Sequence, residues 1–111
     1  MSISNNVQLI GNVGNDIDFK TTENGLRVAT FSMATHERRK DENGRRINVT
    51  EWHNIVCYDS LAELVQKYLK KGSKCSLVGR LRTTKYDDKQ NVTHYTTRIV
   101  AEDVLFLDNK Q

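Results

Sequence analysis

Apolar and polar residues alternate along most of this chain at a period of two, the spacing that sends successive side chains to opposite faces of a β-strand. Val7, Leu9 and Val13 share one parity of a first strand, which runs into Gly11-Asn12-Val13-Gly14-Asn15, where glycines permit a bulge or tight bend. A short continuation through Ile17 and Phe19 leads to Glu23-Asn24-Gly25. Asn-Gly between two such runs is a strong hairpin signal, so a second strand over 26 to about 36 is predicted to fold back on the first and to bury Ala29, Phe31 and Met33. A basic stretch with Asn43-Gly44 at its tip follows and reads as a long, exposed, mobile hairpin loop before a third strand over 47–58.

One segment departs from the period of two. Ser60-Leu61-Ala62-Glu63 has the form of a capping box, and Leu61, Leu64, Val65, Tyr68 and Leu69 fall at i, i+3, i+4, i+7 and i+8, which predicts one apolar helix face. Lys70 and Lys71 suit the negative end of the helix dipole, and Gly72 supplies the stop. Two further strands are predicted over 74–83 and 93–107, joined by a polar loop over 85–91. Three strands, a helix and two strands is the order of an OB-fold. The expected class is therefore all-β with one helix: a five-stranded Greek-key barrel with the helix between strands three and four, a fold that binds oligonucleotides and oligosaccharides.

Parity within 47–58 separates two faces. Ile47, Val49, Ile55 and Cys57 share the core side with Glu51 and His53, while Thr50, Trp52, Asn54, Val56 and Tyr58 share the other. The single Trp and a Tyr thus stand among Thr, Asn and Val, either open on the sheet or packed under a loop or a subunit contact. In the fourth strand Leu77 and Leu81 share one parity, and Lys74, Arg80, Arg82, Thr84 and Tyr86 the other. Bases and aromatics interleaved in this way suit single-stranded nucleic acid, whose bases expose π-faces and whose phosphates need cations.

Composition narrows the picture. A length of 111 residues fits one domain, 1–111, whose modest core leaves room for self-association. Seventeen Lys and Arg against fourteen Asp and Glu leave +3, with a pI near 9.0. The stretch Arg38-Arg39-Lys40-Asp41-Glu42-Asn43-Gly44-Arg45-Arg46 holds five bases and two acids, so it alone equals the net charge. No apolar run approaches the roughly 18 residues that span a bilayer, and the start lacks the pattern of a secretion signal, so a cytoplasmic location is expected. Cys57 and Cys75 form no C-x-x-C motif and read as reduced core thiols. No metal or cofactor is implied.

At these residues the chain resembles the bacterial single-stranded DNA-binding proteins. The resemblance rests on Leu9-Ile10-Gly11-Asn12-Val13-Gly14-Asn15-Asp16, Thr50-Glu51-Trp52-His53-Asn54-Ile55-Val56, Tyr68-Leu69-Lys70-Lys71-Gly72-Ser73, and Val78-Gly79-Arg80-Leu81-Arg82-Thr83 followed by Tyr95-Thr96-Thr97, and covers roughly residues 3 to 107. It implies that Trp52, Tyr58 and Tyr86 stack on bases. Arg39 stands where the family often has Trp, so a guanidinium either stacks there or serves phosphates. Asn54 stands at a position often held by Arg. Arg38, Lys40, Arg45, Arg46, Arg80, Arg82 and Lys85 are the phosphate candidates. The resemblance also implies a homotetramer, a pair of dimers with first strands meeting across a two-fold axis, and so gives Val7, Leu9 and His53 to subunit contacts. The implied role is sequence-tolerant protection of single-stranded DNA in replication, recombination and repair, without catalysis. Family members usually continue into a flexible tail whose acidic tip recruits replication and repair proteins. Here the sequence ends Leu105-Phe106-Leu107-Asp108-Asn109-Lys110-Gln111, which reads as a trimmed longer protein or a short paralogue and leaves such partners outside the expectation.

Three other functions compete. A primosomal-type short OB protein would bind DNA as a dimer in replication restart. An OB-fold nuclease would need carboxylates around a metal, and Asp16 with Asp18 and Asp87 with Asp88 are the close acidic pairs. An RNA-binding OB domain is the third.

Overall fold

The computed structural model of the chain describes residues 4–108. The start, 1–3, and the end, 109–111, read above for a signal and a tail, lie outside the described residues. Within them the chain runs β1 (Val7–Val13), β2 (Asp18–Thr21), β3 (Arg27–Lys40), β4 (Arg46–Tyr58), α1 (Asp59–Tyr68), β5 (Lys74–Asp87) and β6 (Thr93–Phe106). The predicted first strand is thus two pieces, bent apart at residues 14–17.

The strands lie in the order β1-β5-β6-β4-β3-β2, and β1 turns to pair with β3 as well, Asn12 opposite Ala34 and Val13 opposite Met33, which closes the sheet. β4 and β6 are parallel; the other neighbours are antiparallel. With β1 and β2 counted as one bent strand, this is the five-stranded OB-fold barrel, its helix between the third and fourth strands as the order of segments predicts. Closure needs a close approach, because a Cβ on Gly11 would strike the Ala34 carbonyl; glycine fits where no other residue does.

Ala29, Phe31, Met33, Ile55, Cys57, Cys75 and Leu77 fill the barrel, and α1 covers one end with Ala62, Val65 and Leu69. Two details of the helix differ from the pattern read above. It begins at Asp59 with Tyr58 at the N-cap and no side-chain cap bond, so Ser60 lies inside the first turn and forms no capping box. Its buried face is centred on Ala62 and Val65, leaving Leu64 and Tyr68 about half exposed. Tyr68 leans on Phe106 instead, ring centroids 5.6 Å apart. The helix closes at Tyr68, four residues before Gly72, and the following turn is tied to β1 by Val13 N–H to Ser73 O and Gly72 N–H to Val13 O, both 2.8 Å.

The larger correction concerns the two predicted loops. β3 and β4 stay paired out to Lys40 opposite Arg46, and β5 and β6 out to Asp87 opposite Thr93. Only 41–45 and 88–92 are turn. Beyond the barrel these ribbons have no core beneath them, so both faces are polar and the alternation that marks a half-buried strand is lost. The radius of gyration, 16.1 Å, exceeds the roughly 13 Å of a compact chain of this length because the arms project. For the same reason Ile47 and Leu81, on the core parity, are 37% and 49% exposed.

Candidate nucleic-acid interface

One face of the sheet carries the predicted chemistry. On β4 it presents Trp52, Asn54, Val56 and Tyr58; across the ladders it continues with Arg80, Arg82, Thr84 and Tyr86 on β5 and with Val100, Arg98, Thr96 and His94 on β6, paired with them in that order. Val56 and Val100 are buried and form an apolar floor. Above it, Tyr58, Arg82, Thr84 and Arg98 surround a hollow of about 170 Å³. A second hollow of about 290 Å³ is bordered by Asn15, Ser32, Asn54, Thr96, Arg98 and others. Asn15 is fixed there by accepting from the Ser32 amide at 2.8 Å.

Trp52 is 62% exposed, so no loop among the described residues packs over it. The indole nonetheless has a seat. A Cβ on Gly14 would collide with its Cζ3 atom, so the bare glycine backbone lets one part of the ring rest on the bend that follows β1 while the rest faces solvent. Tyr58 is half-buried at the junction of β4 and α1. Tyr86 is 55% exposed and stacks on His94, centroids 5.1 Å apart and planes 21° from parallel.

The β3–β4 arm extends this face. Ala34, His36, Arg38 and Lys40 stand opposite Trp52, Thr50, Asn48 and Arg46, so Arg38, Lys40 and Arg46 lie on the Trp52 side. Arg39 alternates to the other side, opposite Ile47, which separates it from the three aromatics. Arg45 lies in the turn, its amide donating to Asp41 Oδ1 at 2.9 Å. Among the described residues no ion pair or hydrogen bond engages the side chains of Arg38, Lys40, Arg46, Arg80, Arg82 or Arg98; the ion pairs present are Lys20–Asp18 and Arg27–Glu63, and His94 is hydrogen-bonded to Asp88. The cations on this face are unneutralised.

Lys85 alternates away from Tyr86 and stands opposite Tyr95 on the arm's reverse side. Tyr95, 71% exposed, was not predicted as a site residue, and neither were Arg98, Thr96 and His94. Splitting 93–100 by parity, as was done for 47–58, finds all three of the latter on the site face. Val7 and Leu9 turn inward and pack against the core, leaving Gln8 and Ile10 as the outward residues of β1, Ile10 56% exposed. His53 is half-buried with Nε2 2.9 Å from Thr35 Oγ1.

Three of the four acids of the two close pairs, Asp18, Asp87 and Asp88, are engaged within the structure. Asp18 faces Lys20 at 3.7 Å. Asp87 accepts from Thr93 Oγ1. Asp88 caps its turn by accepting from the Gln90 and Val92 amides at 2.8 and 3.0 Å, and its other oxygen meets His94 Nε2 at 2.8 Å. The His94 contact and then the two amides hold the Asp88 carboxyl below its ordinary range. No group of three or more potential metal ligands exists among the described residues, and no helix is long and apolar enough to cross a membrane. Cys57 and Cys75 are free and buried. Burial raises their pKa to about 12 and about 11, with each other's charge adding for Cys57 and Asp108 for Cys75.

An OB barrel whose open face alternates exposed aromatics with unneutralised arginines defines an oligonucleotide-binding module. The comparisons with known proteins agree. The model of the single-strand binding protein family matches residues 4–107, and this chain belongs to that family. It is 39% identical over 106 residues to a single-stranded DNA-binding protein of Xylella fastidiosa strain Temecula1, covering 96% of this chain and 65% of that protein. It is 40% identical to single-stranded DNA-binding protein 1 of Xylella fastidiosa strain 9a5c, covering 100% and 82%. Against several curated relatives the chain spans about three fifths of their length. Among solved structures, the Plasmodium falciparum SSB complex with ssDNA superposes with a TM-score of 0.87 at 37% identity, over 97% of both chains.

Proposed function

We propose that this chain, as one domain over 1–111, binds single-stranded DNA without marked sequence preference and shields it during replication, recombination and repair in the cytoplasm. The observation that carries this is Trp52, a large aromatic left 62% exposed in the middle of a face whose arginines lack acidic partners. Trp52, Tyr58 and Tyr86 stack on bases, and Arg38, Lys40, Arg46, Arg80 and Arg82 take phosphates, with Arg45 at the arm's tip. Arg39 and Lys85, on the reverse sides of the arms, add positive charge at longer range. Asn54 offers an amide and no charge. The relative captured with ssDNA supports DNA over RNA as the ligand. Competition between matched DNA and RNA oligomers tests that choice, and RNA winning would reverse it.

The second part of the proposal is assembly as a homotetramer built from dimers. Between Val7 and Gly11 β1 is paired on one side with β5, and its other edge has no strand partner among the described residues. An open edge is a template for a strand from another copy. Since Val7 and Leu9 face the core, they would join such a contact through their backbones, with Ile10 and Gln8 supplying side chains and His53 supporting β4 behind the contact. Solution mass tests this: four chains agree, whereas two fit the primosomal-type reading and one removes the edge pairing.

A further inference from the structure

Arg82 and Arg98 are directly opposed on the antiparallel β5–β6 ladder. Side chains so placed have Cβ atoms about 4.5–5.5 Å apart, and like charges there disfavour the fold. Both residues are exposed and neither is in an ion pair. The acid bordering Arg98's hollow is Asp18, which faces Lys20 instead. Thr83 and Thr97, the next pair along, satisfy each other across the same ladder with a 3.0 Å hydrogen bond, so the strands can make a complementary pair here. At 82 and 98 they place two permanent cations.

Both guanidiniums border one hollow, above the valine floor and beside the Tyr58 ring. Guanidiniums over an apolar floor hold an anion more strongly than they would in open water, and their planar forks match phosphate oxygens. We propose that Arg82 and Arg98 form a two-arginine clamp for one phosphodiester of the bound strand, next to the base stacked on Tyr58. The clamp rests on the single-strand reading given above. It makes Arg98 a binding residue, and it explains the repulsion tolerated in the free protein, which the phosphate relieves.

The test is anisotropy of a labelled dT oligonucleotide over a salt series, with urea unfolding of each free protein. R98A should lower the slope of log affinity against log salt by about 0.7, the share of one phosphate contact on a single strand. R98K should keep the slope while binding more weakly than wild type, having lost the fork. R98E should bind more weakly than R98A yet unfold at higher urea, because the new carboxylate pairs with Arg82. R82A and R82A/R98A should differ by less than R98A differs from wild type. A wild-type slope in R98A, with R98E folded, overturns the clamp alone. Failure of the wild-type chain to bind dT overturns the single-strand reading and the clamp with it.

Discussion

The indole of Trp52 rests on the backbone of Gly14: a single methyl added to that glycine would occupy the position of the ring's Cζ3. The contact joins the bend after β1 to β4 across the site face and fixes the orientation of the ring. Gly14→Ala is expected to leave the barrel folded, shift the Trp emission, and weaken dT binding by up to the roughly 1–3 kcal/mol of one stacked base. Trp52→Ala should lose the full amount. Emission spectra and binding isotherms of the two variants check this; unchanged affinity in both would mean that the ring contacts no base.

The arms make a sidedness prediction. Arg38, Lys40 and Arg46 share the Trp52 face of the β3–β4 ribbon, and Arg39 does not. Alanine at each of the first three should reduce the salt slope by about 0.7 and weaken all sequences alike. R39A should do less. Equal effects from all four would mean that the strand wraps both sides of the arm.

At the other arm, Asp88 holds His94 and His94 holds the Tyr86 ring. A preordered ring loses less rotamer freedom on binding, a saving of about 0.5–1.5 kcal/mol per side chain. H94A should therefore weaken dT binding in the wild type and much less in the Y86A background, which a double-mutant cycle measures. The Asp88 carboxyl is held below its usual pKa, so its support of the arm is complete above about pH 4, the unfolded-chain value, and is lost as pH falls through the lowered value. Amide exchange at Gln90 and Val92 should accelerate in that acid range in wild type and be fast at all pH in D88N.

The thiols predict an alkaline limit. Cys57 and Cys75 keep their protons to about pH 12 and 11, whereas an unfolded thiol ionises near 8.5. The folded chain then binds more protons than the unfolded one above that value, so stability falls as pH rises from about 8.5 towards 11. Neither thiol should react with a disulfide reagent at pH 8 until urea is added, after which both should. Replacing both cysteines with alanine should flatten the alkaline fall seen in urea midpoints.

Alternation was enough to read the barrel because its strands are half-buried: Ala29, Phe31 and Met33 are in the core as their spacing requires, and Asn24-Gly25 makes the first hairpin. The arms were illegible for the opposite reason. From Arg38 to Arg46 and from Lys85 to Asn91 nothing is buried deeply enough to impose a period, so extended ribbons look like loops. The helix face slipped by one position because Ala62, small enough to sit against the barrel, carries little weight in an apolar count beside Leu64. The site face was readable on β4 and β5 from parity, and on β6 parity puts Arg98 and His94 there too; what neither strand shows is that they oppose Arg82 and Tyr86. Register of that kind lies in the ladder and not in either strand alone.

The central claim is that exposed Trp52 stacks on unpaired DNA at this face. Its most direct measurement is Trp52 fluorescence, the chain's single Trp, during titration with poly-dT on a sample of measured mass, with equal-length duplex as competitor. Quenching that saturates, is reversed by salt and resists duplex competition is the predicted result. Tight binding with the Trp signal unchanged, or equal displacement by duplex, would contradict it.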